Sequence, residues 1–304
     1  MKKIILISGP TGSGKSQIAL KLAKKLNGEI VNADSMQVYK EIKILSARPD
    51  NYFNIPHHLY GSISVKNNFS AGEWIKKSKL ILKKILKKNK RPIVVGGTGL
   101  YFKLLTEGIS NIPQIPDKIR IQSRNLNKKL GNEKFYKLLI KTDPLAKSKI
   151  KKNDTHRLIR AYEVFLFTKK SLIDWQKNNK NSFSNFQFIK IYINPEKSYL
   201  EKVIRLRLKK MFENEAIEEV KRFLKLKINL TLPANKILGI EEIKQYLSKK
   251  ISLEEAFERT FIRTRRYIKR QKTWSRGHMK DWKRIYNYNF DILTKKIINL
   301  TSSS

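Results

Sequence analysis

Apolar residues fall into two kinds of run along this chain. Short, nearly unbroken blocks are bounded by glycine, proline or polar residues and predict buried strands. These are Ile4–Ile7, the stretch Glu29–Asp34 around Ile30 and Val31, Ile93–Val95 after Pro92, and Phe186–Ile193. Elsewhere apolar positions recur every three or four residues. Trp74, Ile75, Ile81, Leu82, Ile85 and Leu86 form such a stripe behind Ser70, a residue suited to cap a helix N-terminus. The lysines between them read as that helix's solvated face. Strands alternating with helices over residues 1–110 predict a parallel sheet, whose ligands gather at the carboxyl ends of its strands.

The pattern changes at Ile112-Pro113-Gln114-Ile115-Pro116. Helical, charged segments follow to about residue 182, and the polar stretch Lys177–Asn185 leads into the last strand-like block. The organisation expected is a core of residues 1–111 and 186–304 with a mostly helical insertion, 112–185. Tyr162, Phe165 and Phe167 are expected in the insertion's own core. Three helices are predicted near 196–227, 235–249 and 252–275. At 304 residues the chain is long enough for a large domain and a second lobe. It has no internal repeat.

One segment carries specific chemistry. Gly9-Pro10-Thr11-Gly12-Ser13-Gly14-Lys15-Ser16 follows the first strand and opens a helical pattern. In that context G-x-x-x-x-G-K-[ST] is a phosphate-binding loop. Its glycines let backbone N–H groups curl around an anion, and the helix N-terminus adds partial positive charge. Lys15 supplies a point cation and Ser16 a hydroxyl suited to Mg²⁺. The motif implies a bound di- or triphosphate without saying which one.

Charge adds a partner. The chain carries 66 basic and 25 acidic residues, a net +41, which points to an anionic macromolecule such as nucleic acid. Much of the excess is lysine spread evenly along the chain, as base composition alone could produce. Arginine is more telling, since only Arg48 and Arg91 precede residue 111. Arg259, Arg263, Arg266 and Arg270 share one helix face, interleaved with Tyr267 and Trp274, and no acid follows Glu258 until Asp281. Such a stripe suits a nucleic-acid backbone with aromatics for stacking. With no cysteine, disulfides and thiolate metal sites are excluded, and a cytoplasmic location fits. The apolar stretch after Met1-Lys2-Lys3 runs directly into the phosphate loop and is not a targeting signal. No window has the ~20 apolar residues of a membrane span. His57 and His58 lack cysteine or acidic neighbours in sequence and are expected to be structural.

In order, GPTGSGKS, NADSMQVY (Asn32–Tyr39), PHHLYG (Pro56–Gly61), FSAGEW (Phe69–Trp74), PIVVGGTGLY (Pro92–Tyr101), NDTHRLIRAYEV (Asn153–Val164) and KRQKTW (Lys269–Trp274) closely resemble the tRNA dimethylallyltransferase family. The match runs from residue 3 to about 284. The resemblance implies an α/β, P-loop NTPase-like fold. It also implies transfer of a dimethylallyl group from its diphosphate to N6 of the adenosine 3′-adjacent to the anticodon in tRNA. By the same matching, Asp34, Thr98 and Lys15 would be catalytic, with Asp34 as general base toward N6. Gly9 to Ser16 with Arg207 would hold the diphosphate, and Ser16 would bind Mg²⁺. Asp34, Ser35, Met36 and Gln37 would meet the flipped target base, Gln37 pairing with an adenine edge through donor and acceptor together. Thr98, Arg120, His156, Arg157, Leu158, Ile159, Arg160, Lys236, Gly239, Lys269, Arg270, Gln271, Trp274 and Arg276 would contact tRNA. The partners implied are the tRNA anticodon stem-loop and dimethylallyl diphosphate, with a monomeric enzyme.

The chain also departs from the family. Leu45-Ser46 stands where Gly-Thr is usual, His156 replaces glutamine, and Val203 and Glu215 replace an arginine and a glycine around Arg207. Other readings stay open from residues alone. Asp34 could be a Mg²⁺ carboxylate, and the chain a kinase, an adenylate isopentenyltransferase or a non-catalytic RNA-binding protein.

Overall fold

A computed structural model describes residues 2–49, 54–177, 179, 183–286 and 289–302. It divides into two compact units, one of Met1–Leu104 with Ser184–Ser304 and the other of Leu105–Phe183.

The first unit is built on β1 (Lys3–Ser8), α1 (Lys15–Lys25), β2 (Gly28–Asn32), β3 (His57–His58), α2 (Ala71–Lys87), β4 (Arg91–Gly96) and α3 (Gly99–Glu107), whose last turn crosses the unit boundary. After the insertion's α4 (Asp117–Thr142), α5 (Thr155–Thr168) and α6 (Leu172–Lys177), it resumes with β5 (Gln187–Ile193), α7 (Lys197–Glu213), α8 (Ala216–Lys225), α9 (Ile240–Leu247), α10 (Leu253–His278), β6 (Lys283–Ile285) and α11 (Phe290–Ser302). The six strands form one sheet in the order β3-β2-β4-β1-β5-β6, and every pairing is parallel. All but the first residue of β1 and β4 are buried, because helices cover both faces of a parallel sheet. That is why these strands read as unbroken apolar runs rather than alternating ones.

Local chemistry sets several boundaries. Ser70 and Glu73 complete a reciprocal capping box at the start of α2, and Ser252 caps α10. Trp74, Ile75, Leu82, Ile85 and Leu86 turn inward from α2, and Ile18, Ala19, Leu22 and Ala23 from α1. The helix expected near 196–227 is two helices, broken at Asn214 (φ −98°, ψ −111°). A 3₁₀ turn, Pro233–Lys236, precedes a shorter α9. The polar strand β6 and helix α11 were not legible in the hydrophobic pattern. β6 forms because β5 offers it a parallel edge. His57 and His58 are structural, as expected. They make β3 beside β2, and His58 Nε2 lies 2.7 Å from the buried Glu29 carboxylate.

The insertion has its own apolar centre of Ile115, Phe135, Leu139, Ala146, Leu158, Ala161 and Val164, with Tyr162 packed against it. Phe167, expected inside, is 39% exposed.

Candidate active site

The site lies where the loops after β1, β2 and β4 meet α7 and α10, all within the first unit. Gly12 (φ 80°) and Gly14 (φ 75°) adopt left-handed backbone, which bends the segment between β1 and α1 into a cradle. Lys15 is half-buried there, its Nζ donating to the carbonyl of Pro10 at 3.1 Å. Arg207, projecting from α7, donates through Nη2 to Thr11 Oγ1 at 2.8 Å. Ser13 Oγ and Arg207 Nε are buried with no hydrogen-bond partner among the described residues. Buried donors without partners beside a glycine cradle are what an anion would satisfy.

Asp34 sits just past the end of β2, not within it. Its backbone N–H donates to Asn32 Oδ1 (2.8 Å), while Asn32 Nδ2 reaches the carbonyls of Asp34 and Leu59. Trp74 Nε1 donates to the Asn32 carbonyl at 2.7 Å, and the Trp74 ring stacks on Tyr101. Asp34 is thus held by a buried polar scaffold. One carboxylate oxygen accepts the Met36 N–H (3.0 Å), and the other faces Gly97, 3.3 Å from where a β-carbon there would stand.

Electrostatics tie this carboxylate to the cradle. Burial lowers the Lys15 pKa to about 8, with the Asp34 charge opposing and Arg207 adding to the shift. Burial also presses the Arg207 pKa down, and Asp34 again opposes. Three phenols, Tyr60, Tyr101 and Tyr267, are pushed well up, first by burial and then by the negative charge of Asp34. Tyr60 and Tyr101 were missed as neighbours of Asp34, because only folding brings the loop after β3 and the helix α3 to the end of β2.

Gln271 on α10 locks the site. Its Oε1 accepts the Thr11 N–H (3.1 Å) and its Nε2 donates to the Gly97 carbonyl (3.0 Å). Side chains explain two of the glycines in Gly96-Gly97-Thr98-Gly99. A β-carbon on Gly97 would strike the Gln271 amide, and one on Gly99 the Trp274 ring. Thr98 Oγ1 accepts from Ser35 N–H (2.9 Å) and donates to Ser35 Oγ. A cavity of about 230 Å³ opens here, lined by Ser35, Thr98, Tyr192, Tyr267, Arg270 and Trp274 among others.

The residues expected to meet RNA fare unequally. Lys236, Lys269, Arg270 and Arg276 are exposed, and so are His156 and Arg157 in the insertion. Leu158 is fully buried in the insertion core, so its side chain is not a surface contact, while Ile159 packs against that core and stays partly exposed. Arg160 pairs with the buried Glu163 at 3.7 Å, and Arg120 Nε is buried. Gly239 is buried, with φ 98° and its N–H donated to Glu242, and serves as the N-terminal turn of α9. The arginine stripe is only partly free. Arg259 bonds Glu255 and Gln245, and Arg263 pairs with the buried carboxylate of Glu242 on α9. For Arg263 the acid missing from the later part of α10 comes from the neighbouring helix α9. Gln37 also differs from expectation, for both protons of its amide go to the Ser46 and Ala47 carbonyls (3.1 and 2.8 Å).

Mg²⁺ was expected at Ser16. Among the described residues no group of three or more His, Cys, Asp or Glu could hold a metal by itself. A hydroxyl at the helix start fits Mg²⁺ that takes most of its ligands from substrate phosphates and water.

Residues 37–278 match the family described as IPP transferase, and residues 2–54 match isopentenyl transferase. A tRNA dimethylallyltransferase of Pelagibacter ubique is 49% identical over 97% of this chain and 95% of its own length, and one from Rickettsia canadensis is 44% identical over 92% and 87%. A solved tRNA isopentenylpyrophosphate transferase of Staphylococcus epidermidis superposes with TM-score 0.71 at 29% identity, covering both chains in full. A eukaryotic dimethylallyltransferase described as acting on tRNA does so with TM-score 0.75 at 28% identity, covering 90% of this chain and 70% of that one. By these likenesses the chain belongs to the IPP transferase family.

Proposed function

We propose that this chain is a tRNA dimethylallyltransferase, moving a dimethylallyl group from its diphosphate to N6 of the adenosine 3′-adjacent to the anticodon. The observation that carries the chemistry is the juxtaposition of one carboxylate, Asp34, with the cations Lys15 and Arg207 of the phosphate cradle. An adenine amine is a weak nucleophile because its lone pair is delocalised into the ring, so it needs a base as the new bond forms. Asp34 takes one N6 proton while the N6–C1 bond forms and the C1–O bond to diphosphate breaks. The departing oxygens gain charge, which Lys15, Arg207, Ser13, the loop amides and the α1 N-terminus meet with preorganised donors. Mg²⁺, held through Ser16 and the diphosphate, would supply further charge neutralisation. Asn32 keeps Asp34 aimed, and Gln271 keeps the cradle and the β4 loop in register.

The exposed cations Lys236, Lys269, Arg270, Arg276 and Arg157, with the exposed His156, would track the anticodon stem-loop. No described helix is long and apolar enough to cross a membrane, and a cytoplasmic monomer is the state proposed. The test is incubation with labelled dimethylallyl diphosphate, Mg²⁺ and unmodified tRNA, followed by mapping of the labelled nucleotide. Label on the adenosine beside the anticodon supports the reading. Label on free adenine nucleotides instead, or on no RNA, overturns it.

A further inference from the structure

The loop that departs from the family pattern is held by a side chain from a distant helix. Lys43, Ile44 and Leu45 each point a backbone N–H at the carboxyl group of Glu219 on α8, at 2.6, 2.7 and 2.9 Å. Glu219 is only 3% exposed. Successive amides turned to one side form an anion-binding concavity, and here a side chain of the same molecule fills it. On the far side the Leu45 side chain packs into the space left open by Gly239. Ser46 Oγ ties back to the Ile42 carbonyl at 2.7 Å.

This loop supplies the Ser46 and Ala47 carbonyls that take both amide protons of Gln37. Two carbonyl acceptors fix which end of an amide faces them. That leaves Oε1 as the end of the Gln37 amide not directed at this loop, three residues along the chain from Asp34.

We propose that Glu219 is a positioning residue for base selection: by gathering the 43–45 amides it fixes Gln37 so that only a hydrogen-bond acceptor meets the target purine. The proposal rests on the RNA-prenylating reading above. An exocyclic amine carries two protons, one for Asp34 and one for Gln37 Oε1, whereas a purine with a carbonyl at that position would set oxygen against oxygen. A site built around a buried, fixed polar group discriminates by leaving it unpaired with the wrong ligand.

The experiment measures binding of two anticodon hairpins, one with adenosine and one with purine riboside at the target position. Purine riboside lacks the exocyclic amine. Wild type should favour adenosine. Gln37→Leu and Glu219→Gln should each cut that preference by about tenfold, with dimethylallyl diphosphate affinity within about twofold of wild type. The double variant should be no worse than Gln37→Leu alone, since both act through one contact. A wild-type preference in folded Glu219→Gln, or additive losses in the double variant, would overturn the proposal. Should Glu219→Gln fail to fold, Glu219→Asp is read the same way, and an unchanged preference in Gln37→Leu is by itself fatal. Wild-type enzyme that transfers no prenyl group to the adenosine hairpin would instead bring down the underlying reading.

Discussion

Lys15 shows how one residue carries a cost that its ligand removes. Its ammonium is disfavoured by burial in the cradle, with a pKa of about 8 against 10.5 for a free lysine. Between those values the unfolded chain holds a proton that the folded one lacks. Stability therefore rises with pH through that window, and below it the charged amine is a burden. Lys15→Met should accordingly raise the melting temperature of the ligand-free protein at pH 7, yet abolish the shift caused by diphosphate. An arriving anion restores the ammonium. Calorimetry at about pH 9, in buffers of different ionisation enthalpy, should show proton uptake on diphosphate binding, and affinity should weaken as pH climbs past 8. Asp34 makes a different prediction. Asp34→Asn keeps the shape and the Met36 contact but cannot take a proton, so transfer should fall by about a thousandfold or more while hairpin binding stays within about tenfold. Near-normal turnover in that variant would remove the general base.

At the scale of elements, α10 does two jobs on two faces. Gln271 and Trp274 face the cradle and the 97–99 turn. Gln271→Ala leaves the Thr11 N–H and the Gly97 carbonyl without their partner and should weaken diphosphate binding by about tenfold, as titration would register. Arg263 belongs to the packing of α10 on α9. Its removal strands the buried Glu242 carboxylate, so Arg263→Ala should cost about 2 kcal/mol in urea unfolding and leave the salt dependence of RNA binding nearly intact. Arg266→Ala and Arg270→Ala should do the reverse, each lowering the salt slope by about one at little cost in stability. A stripe uniform in sequence thus divides into members engaged in packing and members left exposed, because side chains from α9 reach some positions and not others.

Over the whole molecule, a net charge of +41 on 304 residues is a long-range property. It should speed encounter with any RNA and make affinity fall by about a thousandfold between 50 and 200 mM salt if six or more phosphates are engaged. Charge of that kind does not choose a base. On the function proposed, choice rests on a few fixed groups, Asp34 and Gln37 foremost, and the loop that holds Gln37 is itself held by α8. Unrelated RNA should therefore compete well at low salt and poorly at physiological salt, which filter-binding competition would measure.

What sequence determined by itself was whatever depends on neighbours in the chain. The Gly9–Ser16 cradle, the Ser70 cap and the buried strands were legible because their physics is local: backbone freedom, capping geometry and hydrophobic run length. The family motifs singled out Asp34, Thr98 and Arg207 without giving their partners. Tertiary structure alone decided that Gln271 clamps Thr11 to Gly97, that Arg263 answers Glu242, that Leu158 is core, and that Glu219 holds the loop beneath Gln37. Each of these joins residues tens or hundreds of positions apart. A side chain's role is set by what is packed against it, and no local pattern of residues encodes that.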